Sequence, residues 1–266
     1  MYNDVLIERY DIEDHVKRGD APQKDFDLID GYKKMISPYI YTNIKLTDHT
    51  ESIQKAFQSR LQEFISATLL RSIKLKNGAA QALNSINFPS YYAILKSFLE
   101  IPALMAYVAE SLFDGKDEKE MCTIISKISM GTRTKENEIV MIPHRPDNQQ
   151  VSILTMFEKL NKIMYEMDKI SGVAGDKNSI ASSYYSDICN FGHPNYPAHL
   201  CVGRIDKDGV WKAKDDNINY RNELFWFYMP HFSSAISIIY ILCSQLVRHP
   251  KVKNFDMLNN PLYFDN

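Results

Sequence analysis

The chain is short of the residues that break or staple structure. It holds 10 glycines and 11 prolines in 266 positions, a supply that suits packed helices better than a turn-rich β-sandwich. Neither sign of charge dominates: 31 Lys and Arg stand against 33 Asp and Glu, a formal net charge of -2. No global field therefore draws the protein onto nucleic acid or an acidic membrane surface. Its four cysteines, Cys122, Cys189, Cys201 and Cys243, follow an N-terminus, MYNDVLIERYDIEDH, that is charged within ten residues and has no apolar core of a secretory signal. This predicts reduced thiols in the cytoplasm and no disulfide framework. Several catalytic signatures are missing as well. There is no G-x-G-x-x-G, no Walker loop, no H-E-x-x-H and no glycine-flanked nucleophilic serine. No internal repeat or low-complexity tract is present.

What the chain has is apolar mass. Hydrophobic residues make up 45%, enough for a sizeable core in one large domain or two small ones. Residues 224–247 carry His231 but no lysine, arginine, aspartate or glutamate. Their number is that of a membrane span, yet Pro230, four serines and Gln245 interrupt them, and the strongly apolar part, 235–243, is about half a span. A helix apolar on every side is also what the centre of a bundle requires. The segment is therefore expected in a protein core, with no membrane span.

The element pattern is helical. Residues 1–46 read as an N-terminal arm, charged and repeatedly broken at Gly19, Pro22, Gly31 and Pro38. The body follows from 47 to 266. Asp48 with Glu51 three positions on reads as a capping box. Ile53, Phe57, Leu61, Phe64, Ile65, Thr68 and Leu69 then step by three or four, predicting a helix to about Lys76. A second helix is expected from Ser90, kinked at Pro102, and a third from an Asp117 cap to Gly131. Residues 132–147 read as a polar loop. A fourth helix, about 149–170, carries Ile153, Met156, Leu160, Ile163, Met167 and Ile170 on one stripe. A fifth, from Asn178 or Ser179, closes at Gly192 and Pro194. Alternation on both sides of Asp-Lys-Asp-Gly predicts a hairpin near 199–213. A last helix from about Glu223, kinked at Pro230, completes the body. The tail holds Phe255, Leu258, Leu262 and Phe264 for packing. The sum is an all-α, antiparallel helical bundle with a small β-hairpin insertion.

Chemistry concentrates in YYSDICNFGHPNYP, residues 184–197. On a helix, Tyr185, Cys189 and His193 line up at i, i+4 and i+8. His193 falls just past the helix end, where the partial negative charge favours a protonated imidazole. It can simply cap free carbonyls. It can also belong to a zinc site, because Cys189, His193, His199 and Cys201 fall within thirteen residues and suit a tetrahedral ion, although no short Cys-x-x-Cys pair is present. Otherwise it pairs with Glu100. Lys96 and Glu100 stand one turn apart on the apolar second helix, as a buried ion pair setting helix register or as part of a cluster for acid–base work or anion binding.

KSFLE in the second helix, with Y-x2-D-I-C-x3-HPN in the fifth, resembles a loose family of bacterial all-helical proteins patterned R-S-x2-E and Y-x2-L-x4-HP-S/N, itself reminiscent of the HEPN superfamily. The resemblance spans about one hundred residues, 91–195. It implies that Lys96 (in place of arginine), Glu100, Tyr185, His193 and Asn195 form one site, and that the chain is a metal-independent ribonuclease of a toxin or defence system or a nucleotide-binding partner of one. The R-x4-6-H of HEPN ribonucleases is absent upstream of His193; the chain's one such pair, Arg9 and His15, lies in the arm. The expectation is an intracellular, self-associating interaction or nucleotide/anion-sensing module. It needs no cofactor unless zinc binds, and its partners are RNA, a nucleotide or another protein.

Overall fold

The computed structural model describes residues 4–6, 23–48, 50–85, 87–130, 151–170, 185, 186, 188, 189, 203–205, 207–213 and 218–252. Among them the protein is mostly helical and belongs to the all-α class. Six α-helices occur: α1 Gln23–Ile36, α2 Ile53–Asn84, α3 Phe88–Phe113, α4 Glu118–Met130, α5 Ile153–Ile170 and α6 Ile218–Arg248. A 3-10 turn, Ser37–Tyr39, follows α1. Two short strands, β1 Gly203–Ile205 and β2 Trp211–Ala213, pair antiparallel with Arg204 opposite Lys212. Between them Gly209 holds φ 76°, the left-handed region that glycine enters without steric cost.

Local chemistry explains where the helices begin. Asp48 does not cap α2. Its carboxylate accepts hydrogen bonds from the Thr50 amide and hydroxyl at 2.9 Å each, an Asx-type turn that competes with helix. Ser52 caps instead, its hydroxyl accepting the Lys55 amide N–H. Helix α3 starts before Ser90: Asn87 accepts the Ser90 amide at 3.2 Å, and Pro89 occupies the first turn, where a missing N–H leaves no bond unmade. Asp117 and Glu120 close a reciprocal capping box on α4, at 2.8 and 3.0 Å. Gly131, the expected end of α4, lies outside the described residues. Helix α5 begins at Ile153, the first residue of its apolar stripe and a few positions after the expected start near 149, and α6 begins at Ile218, earlier than expected.

The chain clusters into two compact units, and α2, α3 and α6 each contribute residues to both. The first gathers Met1–Met35, Arg71–Leu99 and Ile180–Ile238. Its core contains Phe26, Ile29, Tyr32, Tyr91, Tyr92, Phe98 and Phe232, all fully buried. Phe98 meets the Phe232 ring edge-on at 4.6 Å and the Tyr32 ring at 5.9 Å. The Tyr32 hydroxyl is satisfied by Ser72 at 2.6 Å, which lets a phenol sit in an apolar interior. The Ser233 hydroxyl donates to Asp25 at 2.8 Å, tying α6 to α1. Thus α1, drawn from the expected arm, supplies a buried face.

The second unit gathers Ile36–Leu70, Glu100–Ser179 and Ile239–Asn266. Phe57, Leu61, Ile65, Leu69, Ile101, Met105, Val108, Leu112, Met121, Leu160, Ile239, Leu242 and Leu246 fill its core. Lys251 fastens the chain after α6 to the turn after α3, its ammonium donating to the Gly115 and Lys116 carbonyls at 3.1 and 2.7 Å.

Two helices, Phe88–Phe113 and Met229–Arg248, are long and apolar enough to cross a membrane. Within the protein, 61% of the apolar window of the first and 44% of that of the second are buried. Both contain proline, at Pro102 and Pro230, and each removes one backbone donor from its helix.

Candidate functional site

Lys96 and Glu100 sit on α3, one turn apart and half-buried. The neighbouring positions Tyr92, Leu95, Phe98 and Leu99 are buried, so the lysine stem lies along apolar surface while its ammonium reaches the edge. That ammonium lies 5.9 Å from the centroid of the Tyr185 ring. A cation over a tyrosine face is attracted by the ring quadrupole by about 0.5–1 kcal/mol at a partly exposed site. Tyr185 and Ile188, three positions apart in a helical stretch, are buried, while Ser186 is exposed and Cys189 half-buried. Tyr185 and Ile188 therefore face inward, and Tyr185 meets Lys96.

The other candidates divide. Glu100 belongs to the second unit and makes contacts of its own. His193 and Asn195 lie outside the described residues. So do His199 and Cys201, leaving Cys189 as the one described member of the zinc set. Among the described residues, no group of three or more His, Cys, Asp and Glu gathers as metal ligands do.

Among the described residues, two buried charges stand outside the candidate set. Glu110, on α3, is 5% exposed and takes the ammonium groups of Lys159 and Lys162 at 2.6 and 2.7 Å. Burial on its own would raise the Glu110 carboxyl, but the hydrogen bonds from Lys159 and Lys162, with their charges, outweigh it and hold the group below its ordinary value. The other is Lys76, 1% exposed in the C-terminal part of the α2 stripe. Its ammonium donates to Asp4 at 2.9 Å and to the Val5 carbonyl at 2.8 Å. The buried stripe runs on through Ser72, Ile73, Lys76, Ala79, Ala80 and Leu83, so the lysine that seemed to end the helix stands inside its core face. The sequence signal was available: a lone Lys or Glu at a core phase is a charge in need of a partner. The partners themselves, more than forty residues away in the chain, carried no signal.

A cleft of about 340 Å³ in the second unit is lined by Phe113, Ser244, Gln245, Arg248, His249 and Pro250. The Phe113 and His249 rings meet edge-on at 5.2 Å. His249 Nδ1 accepts the Lys251 amide N–H at 3.2 Å, so the proton of the neutral ring sits on Nε2. Burial first, and the Lys251 charge second, push the imidazole below its ordinary pKa. The cleft thus offers a neutral donor beside an aromatic edge and a guanidinium, at the small end of ligand-pocket volumes.

No family model, no curated protein and no solved structure matches this chain.

Proposed function

We propose that this protein is a cytoplasmic anion- or nucleotide-sensing interaction module, built as an antiparallel helical bundle with a small hairpin insertion. Its sensing group is Lys96, Tyr185, His193 and Asn195, with Glu100 one turn from Lys96. The observation that carries the reading is the Lys96 ammonium over the Tyr185 ring. It joins Lys96 of the α3 motif to Tyr185, eight positions ahead of His193 and ten ahead of Asn195 in the sequence. Chemically the group suits an anion. Lys96 brings an ammonium donor, His193 an imidazole that the sequence pattern puts just past a helix end, where a protonated ring is favoured, and Asn195 amide donors.

The test is thermal unfolding of the purified protein with ATP, GTP, NAD and inorganic phosphate in turn. A ligand at a hundred times its dissociation constant stabilises by about 2.7 kcal/mol, a rise of roughly 5–10 °C for a chain of this size. The rise should vanish in Lys96→Ala. If none of the four ligands moves the transition, the reading fails. The Lys96–Tyr185 contact also serves the ribonuclease alternative. Cleavage of labelled RNA in EDTA that disappears in His193→Ala would convert the sensor into a metal-independent nuclease.

A further inference from the structure

Polar side chains of α2 hold part of the N-terminal segment. Residues Asp4, Val5 and Leu6 lie along the C-terminal part of α2, in the same unit, and four polar contacts hold three residues. The Lys76 ammonium donates to the Asp4 carboxylate at 2.9 Å and to the Val5 carbonyl at 2.8 Å. The Val5 amide donates to Asn77 Oδ1 at 3.2 Å, and Asn84 Nδ2 donates to the Leu6 carbonyl at 3.0 Å. Three of the four go to backbone, so the site reads a main chain. The fourth reads one side chain, and it must be an acid.

The acid is required by Lys76. Its side chain is 1% exposed, against 25% for Asp4, and a buried ammonium stripped of its counter-charge is strongly disfavoured. The occupant is held more loosely than the site is built: Asp4 and Val5 are half-buried, and Leu6 is 56% exposed. A recessed cation, two carboxamides seven positions apart on one helix and a partly exposed strap together have the layout of a peptide-recognition groove, in which main-chain bonds give affinity and one pocket gives specificity.

We propose that Lys76, Asn77 and Asn84 form a binding site for an extended acidic peptide, an aspartate whose next two residues are held by their main chain. The chain's own N-terminal segment fills it in cis, and a partner protein's segment of the same chemistry competes for it. Binding in trans then releases the N-terminal strap.

The experiment uses the full-length chain and a fluorescent peptide copying residues 1–9, read by anisotropy. Asp4→Ala removes the internal acid and vacates the pocket. The peptide should bind this variant saturably and at least tenfold more tightly than it binds the native chain. Replacing the peptide's aspartate by asparagine should weaken binding at least tenfold, as should Lys76→Met in the Asp4→Ala background. Equal binding by the native and Asp4→Ala chains, or indifference to the peptide's aspartate, overturns the proposal. Should Asp4→Ala fail to fold, the native chain gives the answer: excess unlabelled peptide should speed hydrogen exchange at the Val5 amide at least fivefold by displacing the strap. An unchanged rate overturns the proposal as firmly. A dimer that forms with rising concentration and dissolves on adding peptide would also overturn it, giving the site to the arm of a second copy.

Discussion

Glu110 shows what a single residue does in this protein. It lies among Val108, Ala109 and Leu112, all buried, and survives as a carboxylate because Lys159 and Lys162 reach it from α5. The two lysines are 34% and 59% exposed, so they tie a buried acid on α3 to solvent. Glu110→Gln keeps the shape and an acceptor but loses the charge, and should cost roughly 1.5 kcal/mol in urea unfolding at pH 7. The pH dependence follows from the direction of the shift. Because the folded carboxyl titrates below its ordinary value of 4.5, its stabilisation is complete above that pH and drains away as acid protonates the folded form. The difference between native and Glu110→Gln proteins should therefore shrink steadily below pH 4.5. A difference that stays constant down to pH 3 would show that the charge contributes nothing. Glu110 could be picked out in the sequence as an acid in an apolar run. Its lysines could not, since Lys159 and Lys162 look like any polar pair on the outer face of an amphipathic helix.

At the scale of elements, helix ends are where sequence reasoning succeeds or slips, for a definable reason. Asp117 was legible as a cap because no other capping residue precedes α4 so closely, and Glu120 three positions on completes the box. Asp117→Ala should lower stability by about 1 kcal/mol in thermal unfolding. Glu120→Ala should cost less, since it leaves the Asp117 bond intact. Equal losses would mean that the box acts as a single unit. Around α2, by contrast, Asp48, Thr50 and Ser52 compete within five residues. The contest went to Ser52 because the Asp48 carboxylate turned to its own Thr50. The apolar stripe of α2 was equally legible up to Leu69, then obscured by Lys76, whose charge marks a surface only where no counter-charge arrives.

For the molecule as a whole, the open question was whether its most apolar helices lie in protein or in lipid. The buried face of α6 is continuous through Met229, Phe232, Ala235, Ile236, Ile239, Leu242, Cys243 and Leu246. The remaining face mixes Ile238, Tyr240, Ile241 and Val247 with Ser234, Ser237, Ser244, Gln245 and Arg248, half-buried or exposed. A helix surrounded by lipid gains nothing from a hydroxylated, amide-bearing flank. We expect the protein to stay in the supernatant after cell lysis and high-speed centrifugation. Recovery only in a membrane pellet that resists alkaline carbonate would place α3 or α6 in a bilayer.

The sequence by itself determined the helical class, the α2 face up to Leu69, the middle of the α5 stripe at Met156 and Leu160 but not its end, where Ile170 is 86% exposed, and the cap of α4. These depend on periodicity and on neighbours within four positions, and such information is local. Only the tertiary structure decided which charges are buried and what meets them: Lys76 with Asp4, Glu110 with Lys159 and Lys162, and Lys96 with Tyr185. Those pairings join residues from about 50 to about 90 positions apart. A lone sequence carries no record of them, because the free energy of a buried charge depends on what the folded chain happens to bring against it.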